Sequence, residues 1–130
     1  MIEPVEVEGF SQWQQSLDRF SSQADEKIAR MLAMAAETVA DDAQRLVPRG
    51  SSGAARASLK VVGPLVTAGG PKVPYFGWLE FGGRVGRRGS VRRTFVPGGR
   101  YIWPQWMRQR TDILTAMENG LTDLARESGL

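Results

Sequence analysis

The sequence contains no cysteine and no histidine. Without thiols it can form neither a disulfide nor a thiolate metal site. Without imidazole it loses the commonest metal ligand and the commonest general base. No apolar run approaches the roughly 20 residues that span a bilayer as a helix, so no membrane partner is expected. The opening Met1-Ile2-Glu3-Pro4-Val5-Glu6-Val7-Glu8 lacks the basic-then-apolar order of a signal peptide. These absences predict a soluble protein made in the cytoplasm, without cofactor, metal or catalytic site.

Acid is scarce in one stretch only. Residues 1–48 hold four basic and nine acidic side chains, a net of −5. Residues 49–110 hold twelve basic side chains against Glu80 alone, a net of +11, and residues 111–130 have a net of −3. The overall charge of +3 therefore hides a basic middle held between two acidic ends.

A chain of 130 residues should fold as one domain with one modest core. Ile2, Val5 and Val7 alternate with Glu3, Glu6 and Glu8, which reads as an acidic edge strand ended by Gly9. Ser11 and Gln14 have capping-box spacing, and Phe10, Trp13, Leu17 and Phe20 follow at helical spacing. Ser21-Ser22 then Asp25 suggests a restart, so one bent helix or two helices are open. Ile28, Met31, Leu32, Ala35, Val39, Ala43 and Leu46 make a sustained apolar stripe, predicting a helix over about 23–46 that Pro48 and Gly50 stop.

Beyond an exposed loop over residues 49–53, Leu59 to Val62 and Leu65 to Thr67 read as strands broken at Gly63-Pro64. Pro74 to Phe81 fits a buried strand or a short helix. Residues 82–99 contain six glycines and five arginines, which predicts a flexible loop over 82–100 or an extended hairpin. Pro104 opens a last helix with Trp106, Arg110, Ile113, Met117, Leu121 and Leu124 on one face and Gly120 as a weak point. The order implies an α+β domain, with a long N-terminal helix and a C-terminal helix packed on a small antiparallel sheet.

Three segments in order carry a resemblance. The first runs Leu46-Val47-Pro48-Arg49-Gly50-Ser51-Ser52-Gly53-Ala54-Ala55-Arg56-Ala57-Ser58-Leu59; the second is Tyr75-Phe76-Gly77-Trp78-Leu79-Glu80-Phe81-Gly82; the third is Arg100-Tyr101-Ile102-Trp103-Pro104. Together they resemble the small head–tail connector and tail-completion proteins of lambda-like long-tailed phages: a helix, then Pro, then Arg and Ser before a strand, a Glu-Phe-Gly, and an aromatic residue with Pro before a terminal helix. Leu46 to Ser51 also coincides with the thrombin site of expression tags, but its place inside the chain reads as native. The resemblance implies a non-enzymatic virion protein of the neck between head and tail. Such a subunit forms a homo-oligomeric ring, most naturally a hexamer. It contacts connector and tail-tube proteins, and DNA passes its lumen without sequence-specific binding.

The candidate contact residues are weighed against plainer roles. Arg84, Arg87, Arg88, Arg92 and Arg93 suit pairing with acidic helices of a neighbouring subunit ahead of gripping phosphates or lying free in solvent. Trp103 and Trp106 suit core packing or an interface anchor ahead of base stacking. Glu80 has no partner carboxylate in the basic middle, so a salt bridge to an arginine of the next loop is expected rather than acid–base chemistry. The alternative function is a small basic DNA-binding module using residues 84–100.

Overall fold

The computed structural model describes residues 8–130, so the acidic edge strand expected at residues 2–7 lies outside the described residues. The first helix, α1, is continuous over Phe10–Leu46, joining the two apolar stripes. Ser22 does not break it because its hydroxyl donates back to the Arg19 carbonyl at 2.9 Å. The expected Ser11 capping box is not formed. Gly9, at φ 83°, is the N-cap residue, no side chain caps the start, and Ser11 already lies inside the helix. At the other end Val47 turns extended before Pro48.

Helix α1 buries Ala36, Val39, Ala40 and Ala43. A four-residue helix, α2 (Ala54–Ala57), follows the loop. Strands β1 (Lys60–Val62) and β2 (Leu65–Thr67) then pair antiparallel, with Val61 opposite Val66. Gly63 supplies the left-handed φ of 57° that this turn requires. Val61 and Val66 pack on the core, which gathers Ala40, Ala43, Val47, Ala55, Leu59, Val73, Phe76 and Tyr101. Of the two options for the aromatic segment the helix is realised, as α3 (Phe76–Phe81).

Residues 82–99 also resolve to one of their alternatives, the hairpin. Strands β3 (Gly83–Val85) and β4 (Val91–Arg93) pair antiparallel across a 3-10 turn at Arg87–Gly89. The last helix, α4 (Ile102–Glu127), begins two residues before Pro104 and lies antiparallel on α1. Arg19 Nη2 donates to the Ser128 carbonyl at 2.9 Å near one end, and Gln109 donates to Asp42 at 2.7 Å near the other. Gly120 is no weak point: a Cβ there would lie 2.7 Å from Met31 Sδ, so it lets the two helices close on each other. The class is α+β, with the antiparallel strands in two separate hairpins. No helix among the described residues is long and apolar enough to cross a membrane.

Candidate functional site

Glu80 occupies the centre of the candidate region, and it forms none of the salt bridges expected of it. It is 2% exposed, on the inner side of α3. Its carboxylate accepts the backbone N–H groups of Tyr101 at 3.0 Å, Ile102 at 3.0 and 3.2 Å, and Trp103 at 3.0 Å. A helix start leaves such donors unsatisfied and carries partial positive charge, so a carboxylate there is stabilising twice over. Glu80 is thus the cap of α4, supplied from 21 residues upstream, and this is why the helix can begin ahead of Pro104. Arg100 reaches the Glu80 carbonyl at 3.4 Å and the Thr94 carbonyl, leaving the carboxylate to the backbone. A buried, fully engaged Glu80 offers no surface to another subunit.

Two glycines make this approach possible. Gly99 is buried at φ +77°, and a Cβ on it would collide with Glu80 Oε1 and stand 3.0 Å from Trp103 Cβ. Gly82, at φ +89°, lies so close to the chain leaving β4 that a Cβ would collide with the Thr94 carbonyl oxygen. Val96 N–H closes the same contact by donating to the Phe81 carbonyl at 2.7 Å.

Arg93 belongs to this anchor and not to the surface. Its Nη2 donates to the Tyr101 hydroxyl at 2.6 Å, and its guanidinium lies 5.6 Å from the Trp78 ring centroid. Trp78 in turn donates to the Gly83 carbonyl at 3.1 Å. Hairpin, α3 and the start of α4 are therefore tied together at the hairpin's base. The first resembling segment works likewise. Arg56 donates twice to the Val47 carbonyl, at 3.0 and 2.8 Å, and Ser58 Oγ accepts the Gly69 N–H at 3.0 Å.

A family model described as "Bacteriophage HK97-gp10, putative tail-component" matches residues 11–82, more than half of the chain. The chain belongs to this phage tail-component family. No curated protein and no solved structure matches it. Arg56, Ser58, Glu80 and Gly82, which carried the sequence resemblance, all lie inside the matched stretch and all brace the scaffold. The HK97-gp10-like match ends at Gly82, and the hairpin and α4 follow it.

In this HK97-gp10-like chain the other predicted contact residues are outward. Arg84, Arg87, Arg88 and Arg92 are exposed. Arg84 and Arg92 face each other across the hairpin, a like-charge pair that destabilises an isolated ladder. Arg88 holds the turn with φ 58°, a conformation that costs a non-glycine residue about 1–2 kcal/mol. None of these four pairs with a carboxylate among the described residues, where the one ion pair joins Asp42 and Arg45. Trp103 and Trp106, 49% and 38% exposed, line an apolar groove of about 320 Å³ with Leu32, Val39, Pro64 and Ile113. The sequence reading missed this groove: α1, the β1–β2 turn and α4 build it jointly, and no single segment announces it.

Proposed function

We propose that this tail component is a ring-forming subunit of the virion neck, completing the tail and joining it to the head. Its work is mechanical and non-catalytic. Six copies fit the symmetry of a tail tube, and the ring contacts connector and tail-tube proteins while DNA passes through its lumen. One observation carries the reading. Four arginines without a carboxylate partner among the described residues stand on a hairpin whose base is locked to α3 and α4, and the same chain exposes Asp18, Asp25, Glu26, Glu37 and Asp41 on α1 with Asp112, Glu118, Asp123 and Glu127 on α4. Opposite charges on different patches of one subunit suit the heterologous contacts from which rings are made. Holding like charges together on a rigid support is unfavourable unless a partner neutralises them.

The test is reversal of Arg84, Arg87, Arg88 and Arg92 to Glu together, sparing Arg93. The neck reading expects filled heads and tails that fail to join, or tails of uncontrolled length, with the monomer folded normally. A duplex-binding role expects normal rings and a loss confined to salt-sensitive DNA affinity. Normal infectious particles from the quadruple variant would reject both.

A further inference from the structure

We infer that the aromatic tip of α1 in one copy of this chain seats in the apolar groove of the next, a second head-to-tail contact that rests on the ring reading above. Helix α1 outruns its partner. Near the end of α4, Arg19 donates to the Ser128 carbonyl at 2.9 Å and Ser16 lies against Gly129. The turns before Ser16 project past that end, and they carry Phe10 and Trp13, 56% and 53% exposed. The two rings pack on each other with centroids 5.8 Å apart. Apolar surface of this size on a projecting helix end marks an interaction site.

The groove lies toward the other end of the helix pair. The chain cannot fill its own groove with its own tip, because Phe10 and Leu32 are on one continuous helix and stand about 33 Å apart along it. A second copy has no such restriction.

Charge selects the same occupant. Among the described residues before Arg19 the charged side chains are Glu8 and Asp18, both acidic. On the groove side α4 carries Arg110, with no acid between Trp103 and Asp112. Arg110 follows Trp106 by four residues and precedes Ile113 by three, so it shares their face of the helix. An acidic aromatic tip therefore meets an apolar groove with a basic rim. The two patches differ, so the contact is heterologous and propagates from copy to copy until it closes.

The absence of cysteine makes a clean crosslinking test. Gln14→Cys places a thiol beside Phe10 and Trp13, and Ala35→Cys places one in the groove lining. Both positions lie on α1, about 31 Å apart, so a disulfide within one chain is impossible. Oxidised particles built with the double variant should give a ladder of dimers, trimers and higher multiples on a non-reducing gel, and either cysteine alone should give none. Adding Trp13→Ala, at an exposed position, should cut the ladder at least about tenfold. A neck ring of this chain seen in averaged particles without any ladder would overturn the tip-in-groove contact and leave the ring standing. A ladder from particles whose neck holds no ring of this chain would keep the contact and reject the ring.

Discussion

The Tyr101 N–H donates to Glu80 Oε2 at 3.0 Å, and this bond joins the Glu-Phe-Gly segment to the start of the C-terminal helix. Ile102 and Trp103 add their own N–H groups to the same carboxylate. Glu80→Gln keeps one acceptor oxygen but loses the charge, and should cost about 1.5–3 kcal/mol. Glu80→Ala leaves three donors without an acceptor and should cost more, about 3–5 kcal/mol. Thermal and urea unfolding measure both. An alanine variant as stable as the parent would show that the cap carries no weight.

Gly82 and Gly77 sit five residues apart and should respond in opposite directions. At Gly82 an alanine needs φ +89° and collides with the Thr94 carbonyl, so Gly82→Ala should lose about 3 kcal/mol or more. Gly77 lies within α3, and a Cβ there meets nothing within 4 Å. Gly77→Ala should gain about 0.5–1 kcal/mol from helix propensity and a stiffer unfolded chain. Equal effects at the two sites, read from urea midpoints, would contradict the geometry.

Much of the fold was legible because it is written in periodicity and turn residues. The helix over Ile28 to Leu46 and the Gly63-Pro64 break both stand where the spacing put them, although Leu46 itself is exposed and Val47 takes its place in the core. The cap was not legible, because its partners are backbone donors of residues 101–103, and a peptide N–H leaves no mark in the sequence. Helix α2 was hidden by its length, since four residues show no period. Arg92 and Arg93 look alike in sequence, yet a strand sends neighbours to opposite faces. Only the register could say that Arg93 faces Tyr101 and Arg92 faces solvent.

The thrombin-like run sharpens the same point. Pro48 to Ser52 is exposed, as the loop expectation requires, but Val47 is fully buried and its carbonyl holds the Arg56 guanidinium. A protease cleft needs an extended stretch on both sides of Arg49, so cleavage has to wait for Val47 to be released locally. Thrombin should cut the native chain far more slowly than the unfolded one. Arg56→Ala should speed native cleavage about tenfold or more, since losing a charge-assisted hydrogen bond costs about 1.5 kcal/mol or more. Equal native rates for parent and variant would mean that Arg56 does not hold this loop.

The hairpin arginines should divide by what they touch. Arg93→Glu sets a carboxylate beside Tyr101, against the Glu80 cap, and should destabilise by about 2–4 kcal/mol. Arg92 is different, because its cross-strand neighbour is Arg84. Arg92→Glu turns a like-charge pair into an opposite one, which should raise stability by about 0.2–1 kcal/mol. The neck reading expects the same change to weaken assembly, since a cation meant for a neighbouring acidic helix becomes an anion. Unfolding curves and counts of joined particles read the two effects separately. A residue kept for the fold loses stability and assembly together when it is reversed. Arg92 should gain the first and lose the second, and a variant that gains stability while joining heads to tails normally would take the hairpin out of the subunit contact.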